Sequence, residues 1–404
     1  MDLESRGHKK AHSPTMKLLP FSCCLLLCSL LVGCDAESTP IASSVSTDTP
    51  STTNDASSVL DTANVDGADG ADGPDSETVD PPKDEDAGSA PIDTENPEDI
   101  STRPPVAATY DTFIGDWDMQ PGQEITKCVL KRLENESEVW VTGITTDLGQ
   151  GSHHVIVYRS AETEEKTEPF DCFPFLETLG GNTIPLMITQ IPQETLEFPD
   201  GVAFKFEPNQ MVRIEAHYLN YYPEDITAHA DVSFHTIDAA DVEAEANMLF
   251  YGTPDFNIPA GETYDTGWFF LDVWKEAKVF AITGHTHQYG TNVEIKHGLQ
   301  NEEKTDIYPL DKPFYWDEAP LIQFDPPLSF DNGEGFEYRC SWNNTGNKNV
   351  TFGESANQEM CFFWAYYYST PSKGYRMCIN PGDIYTQLGD QVCCPDNFLC
   401  SLVE

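Results

Sequence analysis

The sequence predicts an all-β protein: two tandem antiparallel β-sandwich domains, jelly-roll-like, after a disordered acidic linker. Three observations carry that expectation. Downstream of Tyr110 the runs "EVWVTGI", "HHVIVYR", "MVRIEAHYLNY", "DVSFHTI", "KVFAITGHTH" and "NVEIKHG" are each strand-length and rich in β-branched or aromatic residues. Gly, Pro, Asn and Asp separate them, and long helical periodicity is scarce. The β-rich part runs to roughly three hundred residues, more than one sandwich needs.

The 404 residues divide by composition into five stretches. Lys17 is followed by "LLPFSCCLLLCSLLVGC", an apolar run short for a membrane span and flanked as a signal peptide is. Leu31-Val32-Gly33-Cys34 has the small-residue pattern of a bacterial lipobox, so residues 1–34 are expected to be a lipoprotein signal with Cys34 acylated as the mature N-terminus. An ordinary cleaved secretory signal is the alternative, and Met16 is a second candidate start. Either way the chain is expected to be exported to the bacterial cell envelope or surface, lipid-anchored in the first reading. Residues 35–107 are Ser, Thr, Asp, Glu, Pro and Gly with almost no aromatics; they bury too little apolar surface to offset the entropy of ordering, and read as a tether. Residues 108–238 and 239–375 are the two expected sandwiches, the break falling near "HTIDAADVEAEAN". Residues 376–404 form a Cys-rich extension.

The formal charge of −46 argues against nucleic acid and anionic headgroups as partners. Contact with a membrane is expected only through the lipid anchor. Of twelve cysteines, four lie in or at the end of the signal. The other eight are Cys128, Cys172, Cys340, Cys361, Cys378, Cys393, Cys394 and Cys400. An even number in an exported chain points to disulfides. "CCPDNFLC" also admits a thiolate metal cluster, but zinc-type spacing is absent and two C-terminal disulfides are the better reading.

The histidines pose the chemical question. In "GHTHQYG", His285 and His287 are two apart on a strand and face the same way, so they can grip one ion together. Two imidazoles do not close a site. His153 and His154 in "GSHHVIVYR" are adjacent and should face opposite ways unless Gly151 and Ser152 allow a bulge or the two rings use different nitrogens. In "MVRIEAHYLNY", His217 shares a face with Arg213 and Glu215, the polar face of that strand. A lone strand histidine such as His217 is more often a surface residue than a ligand; His229, His235 and His297 keep that reading. Met360 in "NQEMCFFW" by itself reads as core filler.

Their order changes the odds. His-His, His-Tyr, His-Thr-His and Glu-Met-Cys, about sixty to seventy-odd residues apart, resemble the copper type II, ascorbate-dependent monooxygenases, the family of peptidylglycine α-hydroxylating and dopamine β-monooxygenases. The resemblance spans about Tyr110 to Thr370 and includes "CSWNNTGN" and "EMCFFWAYYY". It implies Cys128–Cys172 and Cys340–Cys361 bridges and two copper ions. His153, His154 and His217 would hold the one that stores and delivers an electron. His285, His287 and Met360 would hold the one at which dioxygen is bound and the substrate hydroxylated, which makes these three the catalytic set. The two lie across a solvent-filled gap between domains in that family. A soft thioether favours the cuprous state, which suits the oxygen-binding position. The implied partners are a small-molecule substrate, O2, and ascorbate or another one-electron reductant.

Departures concentrate at the substrate. Peptide-amidating relatives have arginine two residues before His-x-His, which would hold a carboxylate bidentately; here it is Thr283. Their asparagine and tyrosine after the methionine are Phe362 and Trp364, which point to an apolar or aromatic molecule or to plain core packing. Val155 replaces the methionine of His-His-Met. Two other functions fit the same residues: a copper-binding or copper-storage surface lipoprotein without turnover, and an adhesion or carbohydrate-binding sandwich in which the histidines are incidental.

Overall fold

The computed structural model describes residues 103–173, 178, 183–353, 355, 357–380 and 391–395. The expected signal peptide, Cys34, nearly all of the linker and Cys400 lie outside the described residues.

The runs rich in β-branched and aromatic residues form strands as expected: Val139–Leu148, Ser152–Ser160, Met211–Leu219, Ile226–Ile237, Lys278–His285 and Gly290–Leu299. The described residues are overwhelmingly β. The largest sheet has eleven strands. Its main path runs Ala108–Met119, Ile226–Ile237, Val139–Leu148, Val202–Phe206, Ala244–Gly252, Phe362–Tyr368, Lys278–His285 and Leu321–Ser329. It joins strands from both sides of the segment 235–247, where the sequence predicts a domain break: Ala244 stands opposite Val202 in a parallel pairing. The described residues therefore show one curved sheet continuing through that point.

Two five-stranded sheets pack against it. The first orders Lys166–Asp171, Glu124–Arg132, Met211–Leu219, Ser152–Ser160 and Thr183–Thr189. The second is built on Glu334–Asn343 and Gly290–Leu299. Two apolar cores result, and Phe362–Tyr368 is the wall between them. Met360, Phe362, Trp364 and Tyr366 belong to the first core; Cys361, Phe363, Ala365 and Tyr367 belong to the second. A strand covered on both faces has no reason to alternate polar and apolar residues, which is why "FFWAYYY" reads as an unbroken run.

Met211–Leu219 departs from expectation. All nine of its residues are buried, so Arg213, Glu215 and His217 form a polar face that is not a solvated one. Strand periodicity reports which residues share a face, while the layer above decides whether that face meets water. On that face Arg213 Nη2 lies 3.8 Å from Glu215 Oε2.

Cys128 is bonded to Cys172 beside Glu215, Cys340 to Cys361, and Cys378 to Cys393. Cys394 is disulfide-bonded as well. Oxidised cysteines offer no thiolate, so a Cys378–Cys393–Cys394 metal cluster has no ligands. The Cys340–Cys361 bridge fastens the residue after Met360 to the centre of the second five-stranded sheet.

Candidate metal centre

The geometry begins with a bulge. Gly151 adopts φ 77°, a conformation open to glycine, and a Cβ there would collide with Ile226. Immediately after it, the register against Met211–Leu219 slips between Ser152 and His154, placing His154 opposite His217. The slip turns both neighbouring histidines to one side. Their ring centroids lie 4.9 Å apart, and those of His153 and His154 lie 5.4 and 5.1 Å from His217.

The second pair arrives on Lys278–His285. His285 stands opposite Phe362; two residues further along each chain are His287 and Met360. His285 and His287 are fully buried with centroids 5.1 Å apart, and Met360 is buried in the first core.

The resemblance implies two groups separated by solvent, and the structure departs from that. His154 is 5.3 Å from His285, and His153 is 5.9 and 6.1 Å from His285 and His287, centroid to centroid. The five rings form one cluster. Ligand nitrogens of His153, His154 and His217 lie within 4.8 Å of one another, and so do those of His153, His285 and His287. A third grouping, Cys128, Cys172 and Glu215, is no ligand set, because its sulfurs are bonded to each other.

Side chains and carbonyls around the rings decide which nitrogen each offers. Gln190, three per cent exposed, donates its amide N–H to the Gly284 carbonyl at 2.9 Å and lies 3.4 Å from Thr283 Oγ1. That orientation turns Oε1 toward His285 Nδ1 at 2.5 Å. A carbonyl-type oxygen only accepts, so Nδ1 carries the proton and Nε2 the lone pair. His287 repeats the logic, its Nδ1–H donating to the Ser355 and Gln358 carbonyls at 3.0 and 3.1 Å. His217 is reversed: its Nε2 meets Glu124 Oε1 at 3.0 Å, which leaves Nδ1 for the cluster.

Buried polar atoms ordinarily have partners. Both ring nitrogens of His153, Nδ1 of His217 and Nε2 of His287 have none among the described residues. Burial, and then the neighbouring imidazoles, hold His153, His154 and His285 well below the usual histidine range. Burial followed by His217 brings His287 to about 4, against the pull of its two carbonyl partners. Five packed imidazoles, four of them (His153, His154, His285 and His287) held toward the neutral form by burial, fit a transition-metal centre.

Several supporting residues were not legible beforehand. Glu359 accepts from the main-chain N–H of His287 (2.8 Å) and Tyr289 (2.7 Å) and from Trp342 Nε1 (2.8 Å). Desolvation nonetheless raises its carboxyl to about 7. Its only signal was adjacency to Met360. Gln190, Glu124 and Trp316, whose half-buried indole lies 4.8 Å from the His153 ring, carried no signal. Phe362 stacks on Phe250 at 4.7 Å, and Trp364 lies 5.1 Å from Phe250 and 5.8 Å from His285, which is core packing at the edge of the cluster. Thr283 is buried beside Gln190. His229 lies between Asp116 and Asp231, His235 between Thr109 and Thr145, and His297 near Glu334; none of the three belongs to the cluster.

Together these features define an all-β protein with a buried polyhistidine centre suited to a transition metal. Residues 273–388 match the family model of the copper type II ascorbate-dependent monooxygenase C-terminal domain, a stretch that contains His285, His287 and Met360. Among solved structures, the chain is similar to the major capsid protein P2 from bacteriophage PM2, at 9% identity over 64% of this chain and 97% of that one, with a TM-score of 0.27. It is also similar to a β-porphyranase of glycoside hydrolase family 86 from Bacteroides plebeius, at 9% identity over 67% of this chain and 38% of that one, with a TM-score of 0.16. Likeness at those scores carries no argument about function.

Proposed function

We propose that the chain is a dicopper monooxygenase that hydroxylates a C–H bond of a small organic substrate with O2 and an external reductant. The observation that carries this reading is the convergence of five buried histidines, two of them, with Met360, inside the stretch similar to the monooxygenase domain. His153, His154 and His217 would hold one copper, and His285, His287 and Met360 the other. Bound copper supplies one-electron chemistry and dioxygen activation. The balance is one C–H, O2, two electrons and two protons giving C–OH and water, the electrons coming from ascorbate or a similar one-electron donor.

The protein's own part is positioning. Gln190 and the Ser355 and Gln358 carbonyls keep Nε2 of His285 and His287 toward the cluster. Glu359, the residue before Met360, ties the His287 and Tyr289 backbone to the methionine segment. Thr283 offers no cation to a carboxylate, which favours a substrate without one. The same reading takes the two halves as tandem sandwiches exported on a lipid anchor at Cys34.

Anaerobic Cu(I) titration of the chain lacking its first 34 residues, followed by oxygen uptake with ascorbate and a panel of small aromatic and aliphatic amines and amides, tests it. Two equivalents with substrate-dependent oxygen consumption are expected. Two equivalents with no consumption under any reductant identify a copper-storage protein, and no tight copper uptake ends the reading.

A further inference from the structure

We propose that His153, His285 and His287 form a separate position for a divalent ion such as Zn2+ or Cu2+, one that bridges the two halves of the fold. The proposal rests on reading these histidines as metal ligands and is independent of turnover. Their candidate ligand nitrogens lie within 4.8 Å of one another. His285 and His287 are fully buried, and His153 is nearly so.

The nitrogens are also in the required state. The Gln190 amide and two main-chain carbonyls fix the proton on Nδ1 of His285 and His287. Neither ring nitrogen of His153 has a hydrogen-bond partner among the described residues, so that ring can present either one. Tetrahedral ligands about 2.0–2.1 Å from an ion stand roughly 3.3 Å apart. Modest side-chain rotation would draw the three nitrogens together that far. Three imidazoles and no thioether, with a fourth position for water, favour a divalent ion over Cu(I).

His153 belongs to both three-histidine groups, and this has a consequence. With a single divalent ion aboard, His153 is drawn across to His285 and His287, and the first five-stranded sheet is clamped to the His-x-His strand. Filling both cuprous positions needs His153 back with His154 and His217. One divalent ion therefore competes with the two-copper state.

Titration of the metal-free protein with Zn2+ against a chromophoric chelator tests the proposal. His153→Ala and His287→Ala should each weaken the first equivalent about tenfold or more, and the double variant should be little worse than the weaker single one. His217→Ala should change it by less than about twofold. Gln190→Leu, which removes no ligand, should weaken it by about tenfold, and covers the case in which a histidine variant fails to fold. The idea is overturned if either His153→Ala or His287→Ala leaves the first equivalent intact, or if His217→Ala costs as much as His153→Ala. Two-copper loading with oxygen uptake could still hold after that result, so the two readings fail separately.

Discussion

The two halves of the histidine cluster are supported differently. His285 ends the strand Lys278–His285 and His287 follows just beyond it; Gln190 and Glu359, which hold them from below, are buried, and the Ser355 and Gln358 carbonyls that meet His287 come from a partly exposed turn. His153 and His154 depend on a bulge at Gly151, and His217 on Glu124, a side chain 31% exposed. Trp316, half-buried, lies against His153. Gln190 and Glu359 make that side the more rigid, because releasing either would strand a donor or acceptor away from water. The other side is adjustable, since water can replace Glu124. A centre whose one half is fixed and whose other half can yield is suited to accepting ions in more than one arrangement.

Breaking Glu359 should show the asymmetry most strongly. Glu359→Ala leaves two buried N–H donors and one half-buried one without their acceptor and should cost about 3 kcal/mol or more, whereas Glu124→Ala should cost less than about 1 kcal/mol. Urea denaturation of the metal-free variants measures both, and a costlier Glu124→Ala would erase the distinction. Met360→Leu comes next. Near-equal volume should keep stability within about 1.5 kcal/mol of the parent, while loss of the thioether lowers Cu(I) affinity on the buried side by about ten- to a hundredfold and leaves Zn2+ affinity nearly unchanged. Parallel chelator competitions with the two ions report the ratio. A smaller effect is expected for Glu124→Gln, since an amide oxygen can still accept from His217: metal affinity on the adjustable side should fall by less than about tenfold.

Acidity should have the smallest effect. A lowered histidine pKa means that the neutral, ligating form persists as protons are added. Uptake by His285 and His287 should therefore change by less than about twofold between pH 7.5 and 5.5, where a histidine of ordinary pKa near 6.5 already loses ground. It should fall as the pH nears the value of about 4 for His287. A steep loss starting at pH 6.5 would mean that water reaches these rings.

Much of this architecture was legible in the residues. The strands around the histidines and the bulge after Gly151 that turns His153 and His154 together follow from strand patterning and glycine chemistry; His287 lies just past the end of its strand, where period two no longer applies. What strand logic does not reach is depth and distance. It put His217 on a polar face but had no means of seeing that the face is covered, and it placed the histidine groups in order along the chain without fixing their separation. Gln190 illustrates the limit: one glutamine just past Thr183–Thr189 becomes decisive only when folding sets it against Gly284, ninety-four positions away.

The strand Phe362–Tyr368 contributes Phe362, Trp364 and Tyr366 to one core and Phe363, Ala365 and Tyr367 to the other. Cutting the molecule on either side of it would expose a row of large rings to water. Neither portion would be a self-sufficient folding unit, so melting should run as a single cooperative event, and any relative displacement of the halves would have to pivot about this aromatic spine.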